Sequence, residues 1–327
     1  MPILVSGGAG YIGSHAACAL LEAGERPVAL DNLSTGHRAA APKDAKLYVG
    51  DLRDRGFLRR VFAENDIEAV FHFAARSLVG ESMQKPLLYF DNNVAGMLAL
   101  LEQMAESSVD KIIFSSTCAV YGDSGKEALD ETCPVAPQSA YGESKAIMEN
   151  MMKWVAMAGK ISYVSLRYFN AAGASRSLPI GEDHRPETHL VPLALKSALG
   201  QLPQINIFGA DYDTPDGTAI RDYIHVEDIA AAHLKALNYL RAGGKSAIFN
   251  LGRGTGYSVR QIIDICRAVT GLDIKTACAA RRPGDPPRLV AGGAKAEKEL
   301  GWRPKRAIED IIATAWEWHK KRPGGYG

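Results

Sequence analysis

Tyr141 and Lys145 stand four residues apart in the stretch SAYGESK, residues 139–145. On a helix such a pair shares one face, about one turn apart. A phenol beside an ammonium is either a surface pair or an acid/base couple. The upstream stretch FSSTCAVYG offers the hydroxyl of Thr117 to the same place. A free tyrosine has a pKa near 10, so bringing it to about 7 takes roughly 4 kcal/mol. One ammonium about 4 Å away contributes roughly 4 kcal/mol at an effective dielectric of 20. Lys145 alone is therefore expected to suffice. Taken alone, the three residues read more simply as a surface pair and a strand-end threonine.

A second motif changes that balance. GGAGYIG sets Gly7, Gly10 and Gly13 between an apolar run and an amphipathic one. Glycines allow a tight turn and close approach of the backbone to a pyrophosphate, and the helix start presents free N–H groups to that anion. Asp31 closes the next apolar run, placed to accept from ribose hydroxyls and, by its charge, to disfavour a 2′-phosphate. Together these features predict an NAD site, which makes the Tyr141–Lys145–Thr117 set a chemical one.

The elements that must position these residues follow a regular rhythm. PILVSG, RPVALD, AKLYVG, EAVFHFAA, DKIIFSS and ISYVSLRYFN are short apolar runs separated by longer amphipathic ones. One of the latter, PLLYFDNNVAGMLALLEQMAESS, reads as a single long helix. Continuously apolar strands alternating with helices predict an α/β fold with a doubly wound parallel sheet. After residue 170 a long polar loop, AAGASRSLPIGEDHRPETH, breaks the rhythm. A helix near 190–199, the strands INIFG, RDYIHV and AIFNLG, two further helices, the irregular RRPGDPPR and a last helix over about 306–320 follow. The division expected is a nucleotide-binding domain over 1–170, rejoined by about 220–242, and a smaller α/β substrate domain over 171–327.

Composition narrows the function classes. The 327 residues are 46% hydrophobic and 23% charged with a net charge of +1, so no strong field recruits nucleic acid or an anionic membrane. The five cysteines form no CxxC, and no metal site is read from them; reduced thiols and a cytoplasmic location fit best. The start MPILVSGGAG lacks the pattern of a signal peptide, and no apolar run is long enough to span a bilayer. The tail HKKRPGGYG is expected to be solvated and frayed.

Over essentially its whole length the chain resembles the extended short-chain dehydrogenase/reductases and, among them, the UDP-glucose 4-epimerases (UDP-galactose 4-epimerases). The resemblance rests on GGAGYIGSH, LDNLSTGH, GDLRD, FSSTCAVYG, PQSAYGESK, LRYFNAAGA, DGTAIRDYIHVEDIA, FNLGRGTGYSV and RRPGD. It implies a Rossmann domain and an NAD-dependent inversion at C4 of a UDP-hexose. Tyr141 would take the O4 proton while the C4 hydride passes to NAD; the 4-keto sugar turns over and receives both back. The cationic nicotinamide would assist Lys145 in lowering the phenol; Lys145 would also bind the nicotinamide ribose, and Thr117 the O4 region.

The same resemblance assigns further roles. Tyr11 and Ile12 would flank the pyrophosphate, Asp31 and Asn32 the ribose side, and Asp51 and Leu52 the adenine. Phe73, Ala74 and Ala75 would line the cofactor trough, with Ser77 at its lip and Phe169 against the nicotinamide. Asn170, His189 and Leu190 would face the sugar or diphosphate, which Arg221 and Arg282 would clamp with forked guanidinium groups. Phe208 would stack on uracil, Asn206 belongs to the same substrate set, and Asp285 would accept from the uridine ribose. Ser77 stands where many members have lysine, Ala95 and His189 where many have asparagine. Leu289 occupies a gate position where tyrosine excludes N-acetylated sugars, so UDP-N-acetylhexosamines are alternative substrates; UDP-pentoses are a further alternative. A 4,6-dehydratase would need an Asp-Glu pair after Thr117, where Cys118 and Ala119 stand, and a silent NAD-binding regulator would not need the full set. The apolar stripes of Met97 and Met104, and of Met148, Met151 and Met152, are explained by core packing, and the resemblance implies that the two helices carrying them pair in a homodimer.

Overall fold

Strands apolar on both faces are stable only between two layers of helix. The computed structural model describes residues 1–282 and 284–327. Pro283, in the segment read as irregular, lies outside the described residues. The chain first lays down β1 (Pro2–Ser6), α1 (Tyr11–Glu22), β2 (Arg26–Asp31), β3 (Lys46–Val49), α2 (Arg55–Ala63) and β4 (Ala69–His72). It continues with α3 (Val79–Gln84), α4 (Pro86–Tyr89), α5 (Gly96–Glu106), β5 (Lys111–Thr117), α6 (Ala140–Met157) and β6 (Ser162–Tyr168). It then leaves this body for β7 (Asn170–Ala172), α7 (Leu190–Ala198), β8 (Ile205–Phe208) and β9 (Ile220–His225). It returns with α8 (Val226–Arg241) and β10 (Ala247–Leu251), then leaves again for β11 (Gly256–Ser258), α9 (Val259–Thr270), β12 (Thr276–Ala279) and β13 (Arg288–Leu289). Helix α10 (Lys295–Leu300) touches the first body once more before α11 (Ile308–Lys321) ends the fold.

The large sheet has seven parallel strands in the order β3-β2-β1-β4-β5-β6-β10. Alternate residues face opposite layers. Ile3, Val5, Phe71 and Ile113 pack under α1 and α8, whereas Leu4, Val70, Ile112 and Phe114 pack under α2, α5 and α6. This is the doubly wound α/β arrangement, with the strand order reversing between β1 and β4. In the smaller body β9 pairs with β7, β11 and β13, and β8 pairs with β12. Its core comes from α7, α9 and α11.

Three expectations need correction. Of residues 220–242 only helix α8 lies on the large sheet; β9 pairs in the small one, and β10, not foreseen there, is the seventh strand. The long helix after β4 is broken by a π turn over Phe90–Ala95. That turn aims the fully buried Asn93 inward, where its amide donates to the Arg76 carbonyl at 3.1 Å and to Ser144 Oγ at 2.9 Å. The polar loop before α7 is tied down, with Ile180, Glu182 and Asp183 buried. The tail is not frayed: the Tyr326 ring stacks on His37 at 4.9 Å, and its backbone N–H donates to Asp183 at 3.0 Å. Aromatic burial, which the Lys-Arg-Gly-rich composition conceals, holds it.

Five of the eight histidines are buried and held low by burial: His15, His233 and His319 to about 4, His72 and His225 to about 3. Below pH 6.5 the unfolded chain binds protons that the folded chain refuses, so stability falls as pH drops from 6.5 towards these values. Each histidine withdraws about 2 kcal/mol at pH 5, and five together rival the whole stability of an ordinary domain. Acid titration followed by far-UV circular dichroism is expected to show unfolding centred near pH 5. A transition confined below pH 4 would assign the acid lability to carboxylates instead.

Candidate active site

The site begins with a close approach. Ser139 caps α6 by accepting from the Gly142 N–H at 3.1 Å. A Cβ on Gly142 would lie 2.6 Å from the Ala119 carbonyl, just past the end of β5. Only glycine lets the first turn of α6 come this near, and that turn carries Tyr141. Thr117, the last residue of β5, is buried, and its Oγ1 accepts from Ala119 N–H at 3.1 Å. The Thr117 hydroxyl lies near enough to the Tyr141 phenol to favour its ionised form.

Lys145 is buried one turn further along. Its Nζ donates to the Ser115 carbonyl at 2.7 Å and sits 4.8 Å above the Phe114 ring. Burial pushes the ammonium down to about 7, opposed by Glu149. Burial pushes the Tyr141 phenol up to about 12, with the Thr117 hydroxyl pulling the other way. The expectation that Lys145 alone brings the phenol to neutrality is therefore corrected. Desolvation acts on both partners, and the ammonium is aimed at a backbone carbonyl. The protein's own groups leave Tyr141 protonated near pH 7.

Behind this pair lies a network that the sequence reading missed. Glu149 sits one turn beyond Lys145 and accepts from Ser116 Oγ at 2.6 Å and Arg167 Nε at 2.9 Å. Arg167 makes a second bond to the same carboxylate through Nη2 and lies 4.8 Å over the Tyr121 ring. Tyr121 in turn donates to Asn250 at 2.7 Å. The 141–145–149 spacing was available as a signal, since all three share a helical face. Nothing in the sequence pointed to the π turn that lets Asn93 brace Ser144, whose hydroxyl donates to the Tyr141 carbonyl at 2.8 Å.

The glycine-rich turn lies where β1 meets α1. A Cβ on Gly13 would fall 2.1 Å from the Gly7 carbonyl, so a side chain there would push strand and helix apart. Helix α1 has no side-chain cap, which leaves the N–H groups of its first turn for an anion. Asp31 is buried beside them and accepts from the N–H groups of Ala9 at 3.0 Å and Leu33 at 2.8 Å. Burial raises its carboxyl. Asp51, held well below the ordinary carboxylate range by Arg53, accepts from Asn32 at 3.0 Å. Leu52 is buried, Phe73, Ala74 and Ala75 are half-buried, and Ser77 is exposed at the outer end. This cradle, uncapped and closed to any Cβ at its tightest point, fits a dinucleotide pyrophosphate.

The second body brings the remaining residues to the same end of the sheet. Phe169 is buried with Cys118 and Leu289 in one small cluster, and the half-buried Asn170 opens β7. Arg221 is buried and paired with Asp285, and it donates to the carbonyls of Pro286 and Ile220 at 2.7 Å each. Two of the five guanidinium donors remain for an anion. Arg282 lies over Phe208 at 4.0 Å, so one face of that ring is covered by a cation. Asn206 is exposed. His189 caps α7 ahead of Leu190; burial would lower its imidazole, but Glu182 outweighs that and raises it to about 9. It is cationic at neutral pH.

Comparison with known proteins agrees with this arrangement. Residues 3–252 match the NAD dependent epimerase/dehydratase family. A UDP-glucose 4-epimerase of Streptococcus mutans is 56% identical, over 100% of this chain and 99% of its own. A UDP-glucose 4-epimerase crystal structure superposes with a TM-score of 0.97 at 54% identity, over 100% of both chains. The Bifidobacterium longum UDP-glucose 4-epimerase, solved with NAD+ and UDP, gives 0.95 at 40% identity, again over 100% of both. Within the described residues no helix is long and apolar enough to cross a membrane.

The buried Glu149–Arg167 pair yields a prediction. Glu149→Gln keeps the volume but leaves a guanidinium without its counter-charge, a loss of about 3–5 kcal/mol in urea unfolding. It also removes the group that raises Lys145, so the ¹³Cε resonance of Lys145 should titrate below pH 7. A titration unmoved by the substitution would separate Glu149 from Lys145.

Proposed function

The chain belongs to the NAD dependent epimerase/dehydratase family, and on that premise we propose that it inverts C4 of a UDP-hexose, interconverting UDP-glucose and UDP-galactose. The observation that carries this reading is the meeting of Tyr141, Thr117 and Lys145 at the carboxyl end of β5, beside an uncapped helix. A doubly wound sheet binds its ligands at that end. NAD, when bound, supplies the reversible hydride acceptor and a positive charge near the phenol.

The chain's own residues do the rest. Tyr141 takes the O4 proton and returns it to the same oxygen, and because the C4 hydride is also returned no net oxidation accumulates. Thr117 fixes the phenol and the O4 hydroxyl. Lys145 anchors a ribose and, while protonated, favours phenolate. The free N–H groups after Gly10, with Tyr11 and Ile12, hold the cofactor pyrophosphate, and Asp31 with Asn32 and Asp51 the adenosine side. Arg221 and Arg282 hold the substrate diphosphate. The large body thus binds the cofactor and the small body the UDP-sugar. Leucine at 289 leaves more room beside Phe169 than tyrosine would, which favours UDP-N-acetylhexosamines as second substrates.

We also place the protein in the cytoplasm, since its five cysteines are all free thiols; recovery of turnover with the cytosolic fraction tests this. The Met97, Met104, Met148 and Met152 stripe is consumed by the core. A homodimer through α5 and α6 rests instead on exposed Leu98, Trp154 and Met157, at 44%, 67% and 66%. Light scattering is expected to find a dimer that Trp154→Glu turns into monomer; a monomeric parent protein would remove this reading.

Replacing Tyr141 by Phe should lower kcat by about 10²–10⁴ with UDP-galactose, with NAD content per chain unchanged. The parent enzyme should also convert UDP-N-acetylgalactosamine. Full turnover in the Phe variant would take the acid/base role from Tyr141. Activity on UDP-galactose alone would confine the enzyme to simple hexoses.

A further inference from the structure

The loop GEDHRPETH, residues 181–189, gathers four donors that neither the hydride chemistry nor the clamp on the diphosphate requires. One ligand atom from each of Glu182, His184, Glu187 and His189 lies within 4.8 Å of all the others. Glu182 Oε1 is 3.1 Å from His184 Nδ1 and 2.5 Å from His189 Nδ1. Glu187 Oε2 is 3.8 Å from His184 Nδ1, and Glu187 Oε1 is 3.6 Å from His189 Nδ1. A tetrahedral ion with ligands at about 2.1 Å holds them about 3.4 Å apart. These four separations bracket that value.

A second observation is independent of the clustering. The Glu187 side chain is only 4% exposed, yet its Oε2 has no hydrogen-bond partner, and neither does the buried His184 Nδ1. Ion pairing within the cluster engages Glu182, His189 and His184, but leaves the buried Glu187 Oε2 with no partner nearer than 3.8 Å. Buried orphans of this kind are rare and unfavourable. The backbone around them is held from outside, by Trp318 Nε1 donating to the Glu182 carbonyl at 3.0 Å and by Asp183 accepting from Tyr326. The His184 ring meets Tyr11 edge-on at 6.1 Å, so the cluster abuts the first turn of α1.

We propose that Glu182, His184, Glu187 and His189 bind one divalent first-row transition cation of the zinc class. Two imidazoles and two carboxylates are a borderline donor set that suits zinc and not magnesium or calcium. Two carboxylates and a dication also sum to zero charge once the ion displaces the His189 proton and both imidazoles are neutral. The protein fills all four positions, the mark of a structural ion and not of one that activates substrate. Its work is to fix residues 182–189 between α1 and α7. The sequence reading looked for metal among the cysteines and so passed over these donors.

The test uses the full-length chain without an affinity tag, stripped with a chelator and titrated with Zn²⁺ against a chromophoric competitor. Metal content after gel filtration is read by plasma mass spectrometry. One Zn²⁺ per chain is expected, with an upward shift of several degrees in Tm, and no response to Mg²⁺ at the same concentration. Glu187→Gln and His184→Asn should each weaken binding at least tenfold. Absence of stoichiometric Zn²⁺ in the parent chain overturns the proposal. So does binding that persists undiminished in the variants, which would mark adventitious capture elsewhere. If one variant does not fold, the parent stoichiometry and the other variant decide.

Discussion

The approach of helix α6 to the end of β5 is the constraint on which the site depends. Gly142 permits it, because a Cβ there would meet the Ala119 carbonyl at 2.6 Å. The approach brings Tyr141 to Thr117 and drives Lys145 and Glu149 out of water. Burial then acts on each group according to its charge: it keeps the phenol protonated, weakens the ammonium, and forces the carboxylate to take Arg167 as partner. A buried ion pair adds little to stability by itself, since desolvation opposes the Coulomb gain. Here it stands one turn behind the lysine, where a carboxylate opposes the effect of burial on that lysine. The chemistry and the packing are thus one arrangement seen from two sides.

On the function proposed above, the two bodies divide the work of recognition. The large sheet offers backbone: a turn too tight for any side chain at Gly13, and helix N–H groups without a cap. The small body offers side chains, Arg221 fixed by three acceptors and Arg282 lying over Phe208. Fixed backbone dipoles suit the part of a ligand that never changes. Charged side chains on loops suit the part that must enter and leave.

Much of this was legible in the sequence because it obeyed local rules. Alternating apolar and amphipathic runs gave the sheet and its helices, and the i,i+4 spacing gave Tyr141 and Lys145. What failed was decided by distant parts of the chain. The π turn at Phe90–Ala95 exists to carry Asn93 to Ser144, 51 residues away, and no nearby residue announces it. Strand β9 reads like any sheet strand, but β7 and β13 had no apolar pattern long enough to reveal that they would claim it. Tyr326 looked like part of a polar tail because its partners, His37 and Asp183, lie far back in the sequence. The electrostatic error had a similar root. Spacing shows who is near whom along a helix, but not whether water is present.

The polypeptide moves between the two bodies repeatedly: out after β6, back at α8, out after β10, back at α10, and out to α11. Neither body is an uninterrupted stretch of chain. No single breakpoint can release one intact, so a single crossover cannot exchange one body while keeping the other. New specificities in such a scaffold must arise by substitution within loops, residue by residue, and both halves must descend together.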